Sequence, residues 1–158
     1  MARLPAGTLM DRAAAGLAAT CGRLLSARGA VYGSSVVLLV GSGDNGGDAL
    51  FAGARLARRG ASVRAVLLGS SVHQGGLAAL LAAGGSVGVA DDVGVADLVL
   101  DGIVGIGGRG SLRPDAAAVV AAIPPSATVV AVDVPSGVDA ATGEVAGPGV
   151  YAHATVTF

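Results

Sequence analysis

"SSVVLLVGSGDNGGDALFAGARLARRG", residues 34–60, joins an apolar run to a patterned helix through a glycine-rich turn carrying Asp44, Asn45 and Asp48. The run 34–40 shows no polar alternation, as expected of a parallel strand buried on both faces. A helix is expected from about Asp48 to Arg59, stopped by Gly60. Outward from this unit, strands are expected at 62–69, 96–101, 127–134 and 154–158. Helices are expected at 77–83 and at 111–123, the latter with Pro114 near its first turn. Before the unit, Leu9, Ala13, Leu17, Cys21 and Leu24 recur at helical steps up to a stop at Gly29. Successive strand ends at Val40, Leu68, Leu100 and Val132 lie about 30 residues apart, one βα unit each. That alternation implies an α/β fold with a parallel sheet and right-handed crossovers.

The bulk numbers narrow the possibilities. Of 158 residues, 53% are apolar and 13% charged, against a usual charged share of roughly 25%. With Tyr32, Phe51, Tyr151 and Phe158 as the only aromatics, Val, Leu, Ile and Ala must fill the core. So weakly polar a surface points to a subunit or a domain interface, and composition does not choose between them; a homo-oligomer is the expectation. The net charge is −1 and every basic residue is Arg. No basic run extends beyond Arg58-Arg59, so no electrostatic footprint for nucleic acid is expected. The missing Lys excludes a P-loop or Schiff-base lysine within this chain. Cys21 is alone, allows no internal disulfide and sits on an apolar stripe; a reducing, cytoplasmic setting is the expectation. No stretch reads as a targeting peptide or a membrane span.

In open parallel sheets, ligands bind beyond the carboxyl ends of the strands. There this sequence places Gly41–Asp48, then Gly69–Ser71 with no acid, then Asp101 and "GIVGIGGRGS", then Asp133 and "VPSGVDAATG". Two carboxylates and two glycine-rich loops converge on one edge. Gly41, Gly43 and Gly46 match the dinucleotide fingerprint, and amides leading into a helix favour phosphate. The second strand ends without the acid that reads a ribose, which disfavours a hydride-transfer enzyme. Asp48 has two readings, helix N-cap or ligand contact. Asp101 and Asp133 each have a turn-closing reading, but side by side they repel unless a cation or a shared proton relieves them. Oxygen donors on Asn45, Asp101 and Ser136 suit a hard cation, and without a Cys/His cluster zinc is not expected. His73 is expected in a solvated loop, His153 in a structural role, and Asp139 in an Asx-type turn. Arg109 lies in a loop placed to meet a phosphate, or on the open surface.

"GSGDNGGDALFAGARLARRG" (41–60), "DLVLDGIVGIGGRG" (97–110) and "VVAVDVPSGVDAATGEV" (129–145) resemble the NAD(P)H-hydrate epimerase family, the YjeF N-terminal domain. The early "GTLMDRAAAGLA" and the final "ATVTF" fit the same pattern. The resemblance is greatest to the bacterial form, fused ahead of a dehydratase for the same hydrated cofactor. It implies a Rossmann-like three-layer α/β/α sandwich with a mostly parallel sheet. It implies epimerisation of the R and S forms of hydrated NADH and NADPH, the dinucleotide being substrate rather than cofactor. Substrate contacts carried over are Asp44, Asn45, Gly46, Gly47 and Asp48, with Gly105, Ile106, Gly107, Gly108, Arg109, Gly110 and Ser111, and Asp133. A potassium ion is implied on Asn45, Asp101 and Ser136, and Asp133 is the expected acid/base. Three departures stand out: Asp44 replaces an Asn, Ala49 a Gly, and Ile106 a Thr. A segment with a Lys that the family carries after "TVTF" lies outside these residues, so residues 1–158 are expected to be one domain truncated at its C-terminus and short at its N-terminus. The alternative function is a non-catalytic binding or dimerisation module of the same fold.

Overall fold

The computed structural model describes residues 6–104, 112–139, 142–145, 147 and 149–158. Helix α1 spans Ala6–Arg28, β1 Ser35–Val40, α2 Asp44–Arg58, β2 Ser62–Leu67, α3 Gln74–Ala82 and β3 Ser86–Val87. A 3₁₀ turn, Ala90–Val95, leads into β4 at Leu98–Gly102; then follow α4 at Pro114–Ala121, β5 at Thr128–Val132 and β6 at Ala154–Val156. The strands form one sheet in the order β3-β2-β1-β4-β5-β6, and every pairing is parallel. This is the doubly wound order, which reverses direction beside β1 and opens a crevice there.

Strand alternation builds the layers. Val36, Leu38 and Val40 of β1 join Leu17, Cys21, Leu50, Leu56 and Leu80 in one core, whereas Val37 and Leu39 face Val93, Ala116 and Val119 in a second core. Adjacent residues of a strand point to opposite faces, so a strand apolar at every position feeds both cores. Helices α1, α2 and α3 pack together on one face. Cys21 is fully buried in their layer, and burial pushes its thiol up to about 12, as expected of an inert core residue. No helix of the described residues is long and apolar enough to cross a membrane.

Two local expectations change. Helix α2 starts at Asp44 rather than Asp48, so the glycine turn is largely helix. Glycine is a poor helix former, but close packing selects it here. A Cβ on Gly46 would strike the Gly41 carbonyl, and one on Gly102 would lie 2.8 Å from the Asn45 carbonyl oxygen and from the Ala49 Cβ. The first turn of α2 therefore presses directly on the ends of β1 and β4. The two-residue β3 and the 3₁₀ turn were not expected, being too short to show periodicity.

Candidate functional site

The site lies at the carboxyl edge, where β1 hands over to α2 between β2 and β4. Gly43 occupies the N-cap of α2 in extended backbone, with no side chain to cap the turn. The first amides of a helix have no intrahelical partner, so those of Asp44 and Asn45 face the edge as an anion-favouring end. Asp48 is one turn in, with 8% of its surface exposed. The N-cap reading of Asp48 is thereby excluded.

On the other side of the crevice, Asp101 is fully buried near the end of β4. Its Oδ1 accepts from Ser136 Oγ at 2.6 Å and from Ile103 N at 3.2 Å, and its Oδ2 accepts from Ser136 N at 2.7 Å. Ser136 Oγ in turn accepts from Val104 N at 3.1 Å. Burial raises the Asp101 pKa, and the bonds from Ser136 and Ile103 oppose that rise. Asn45 closes the group: its Nδ2 donates to Val132 O at 3.0 Å and to Val104 O at 3.3 Å. Thus α2, β4, β5 and the Pro135-Ser136-Gly137 turn are fastened together by the residues singled out as a cation set.

Asp133 follows the last residue of β5. Its φ of +71° makes it the one non-glycine in the left-handed region among the described residues. Asp and Asn tolerate that region better than other residues. Its N–H donates to Val156 O at 2.7 Å, so β6 holds this corner. Asp48 and Asp133 are near enough to repel. The Asp48 carboxyl is pushed up to about 6, chiefly by burial, then by the Asp44 charge, with Asp133 adding and His73 opposing. The structure therefore gathers Asp44, Asn45, Gly46, Gly47, Asp48, Asp101, Asp133 and Ser136 at one edge. Gly105–Ser111, with Ile106 and Arg109, lie outside the described residues. Among those described, no cluster of three or more His, Cys, Asp or Glu is placed to hold a metal.

A raised Asp48 pKa has a stability consequence. Folded, Asp48 holds its proton more tightly than the unfolded chain does. Its contribution is complete below the unfolded pKa of about 3.9 and is lost as pH rises through about 6. Asp48→Asn abolishes that loss. The variant should match the parent near pH 3.5 and exceed it by roughly 1–2 kcal/mol at pH 7.5, after allowance for solvent screening. Urea unfolding across that pH range measures it; a difference independent of pH would refute it.

The two histidines are both structural acceptors. His153 Nδ1 accepts from Val129 N at 2.9 Å, as expected. His73 departs from the solvated-loop expectation: it N-caps α3, with Nδ1 accepting from Gly76 N at 3.0 Å. Its ring meets Phe51 edge to face, with centroids 5.6 Å apart. Sequence gave no hint of this, since His is not among the preferred N-caps. Asp139 Oδ1 accepts from Thr142 N at 3.1 Å, three residues on rather than the two of an Asx turn.

Comparison with known proteins places the chain among relatives by sequence and by fold. The family model described as "YjeF-related protein N-terminus" matches residues 6–158. The chain is 55% identical to a protein named bifunctional NAD(P)H-hydrate repair enzyme Nnr from Mycobacterium tuberculosis, over 100% of this chain and 34% of that protein. It therefore spans about a third of that relative's length. It is 44% identical to a protein named NAD(P)H-hydrate epimerase from Clavibacter michiganensis, over 95% of this chain and 70% of that one. Among solved structures, a yeast protein, ynu0, superposes with a TM-score of 0.84 at 21% identity, covering 98% of this chain and 71% of the yeast chain. At that identity the likeness concerns the fold.

Proposed function

The chain belongs to the YjeF-related N-terminal family, and on that premise we propose that it interconverts the R and S forms of hydrated NADH and NADPH. The observation that supports the reading is the placing of Asp48, in the first turns of α2, and Asp133, directly after β5, at the same carboxyl edge beside the buried Asp101–Ser136 pair. Such an edge offers carboxyls for proton transfer, and the end of β2 offers no acid to read a ribose as a hydride-transfer enzyme would.

The chemistry asks little else. The reacting carbon bears a hydroxyl and the ring nitrogen. An acid protonates the hydroxyl, and water departs with the C–O electron pair while the nitrogen lone pair forms a C=N⁺ bond. Water then adds to the opposite face and returns a proton to the carboxylate. Asp133 is assigned this acid/base role. Asp44 to Asp48 and Gly105 to Ser111 are assigned to substrate binding, with Arg109 on the phosphates. Carboxylates around the cationic intermediate stabilise it electrostatically.

The reading includes a potassium ion held by Asn45, Asp101 and Ser136. The residues fit one: an ionisable carboxyl, a hydroxyl and an amide, all oxygen-bearing, meet beside the Val104 and Val132 carbonyls. When bound, the ion supplies fixed positive charge beside Asp101. We also read the chain as the epimerase part of a longer cytoplasmic repair enzyme with a dehydratase domain.

The test is direct. The chain is mixed with one hydrated NADPH epimer, and the R/S ratio is followed by chromatography in potassium and in sodium buffer. Exchange well above the spontaneous rate, faster in potassium, is expected. No exchange in either buffer overturns the reading, and equal rates overturn the potassium assignment.

A further inference from the structure

His73 ties the glycine turn to a cavity of about 580 Å³, lined by Gly7, Thr8, Met10 and Asp11 of α1, Phe51 of α2 and His73 itself. Its volume is in the range of small-molecule sites. The imidazole is fixed on three sides: by the cap bond from Gly76, by the Phe51 ring, and by Gly47, where a Cβ would lie 2.9 Å from His73 Cδ2. A ring nitrogen that accepts an N–H carries no hydrogen, so neutral His73 bears its hydrogen on Nε2. None of the hydrogen bonds among the described residues is donated by His73 Nε2. The chain thus holds an oriented, unused donor on a cavity wall that touches the DNGGD turn.

The walls select what the donor meets. Phe51, Met10 and Gly7 are apolar. The lining's one carboxylate, Asp11, is paired with Arg55 at 2.9 Å. That pair leaves no unengaged cation among the described lining residues for a phosphate, whereas a neutral planar ring with a carbonyl acceptor suits both Phe51 and Nε2–H. Because the imidazole packs on Gly47 of the DNGGD turn, a ring held by His73 lies against the first turn of α2, at the edge that carries Asp133. We propose that His73 is a substrate-orienting residue whose Nε2–H donates to the carboxamide oxygen of the nicotinamide ring seated in this cavity. This rests on the epimerase reading above.

His73→Asn separates the proposed contact from the cap. Asn leads the N-cap preferences, so its Oδ1 takes over the Gly76 bond while the Nε2 donor disappears. The kcat/KM of R/S exchange should fall about 10–100-fold, as expected for one lost ligand hydrogen bond, with a thermal midpoint lowered only by the lost ring contact with Phe51. His73→Ala should lose both activity and stability. In the parent chain, saturating NADPH, which carries the same carboxamide, should move the ¹⁵N resonance of His73 Nε2. That of His153, whose Nδ1 is bonded in the same way, should stay in place as an internal reference. Exchange by His73→Asn within about twofold of the parent overturns the proposal, and so does an unmoved His73 resonance. If the parent binds NADPH without exchanging epimers, the epimerase reading falls and the resonance still decides for His73. If NADPH does not bind, both fall.

Discussion

Asp133→Asn is expected to slow R/S exchange by about 10²–10⁴-fold, the usual share of a positioned acid/base, with NADPH affinity within a few-fold of the parent. Asn is the informative choice because position 133 has a φ of +71°. Asn adopts left-handed backbone at least as readily as Asp, whereas Ala there would strain the corner and confuse lost chemistry with lost shape. The Asn variant keeps the N–H bond to Val156 O at 2.7 Å, so β6 remains seated. What it loses is the capacity to give and take a proton at the reacting hydroxyl. Binding is read from NADPH titration and chemistry from the epimer ratio, so the two losses are measured apart. Exchange within about threefold of the parent would take the role from Asp133. Asp48 is then the group to examine, its carboxyl already pushed up to about 6 beside the same crevice.

The sequence and the structure agree where burial and spacing speak together. The unbroken apolar run of β1 announced a two-faced central strand, and both cores do meet on it. The strand-end acids pointed to one edge, but the group that meets Asp101 there is Ser136, at 2.6 Å, and the carboxylate that Asp133 acts on is Asp48. Where local preference and tertiary contact disagree, tertiary contact won. Asp44, Asn45, Gly46 and Gly47 read as a loop by propensity, yet they form the opening turn of α2 because only glycines allow the helix so near Gly41 and Gly102. His73 left no trace in the sequence. Its cap bond and its seat on Gly47 depend on β2 delivering the chain beside α2, a relation no local pattern carries.

Asp101→Ala should be the most destabilising single change in the site, by about 3–5 kcal/mol, against a total stability of roughly 5–15 kcal/mol for a domain. The carboxylate is fully buried and accepts from two backbone amides, Ser136 N and Ile103 N, besides the Ser136 hydroxyl. Removing it leaves the buried Ser136 N–H unpaired, at about 1–3 kcal/mol, the half-buried Ile103 N–H without its acceptor, and a small void. Against this stands the cost of desolvating Asp101, which the raised pKa records. That cost is recovered in the Ala variant, but the amides cannot be removed with it, so the net change remains a loss. Asp101→Asn should fall in between: its Oδ1 accepts from one amide while its Nδ2 opposes another donor. A double-mutant cycle assigns the parts. Ser136→Ala in the Asp101→Ala background should cost about 1 kcal/mol less than in the parent, because the hydroxyl has already lost the carboxylate and only its acceptor role toward Val104 N is left to lose. Urea unfolding of the four proteins gives the coupling. Additive losses would mean that Asp101 and Ser136 stabilise the β4–β5 edge separately, and the fastening of that edge through their shared bond would be wrong.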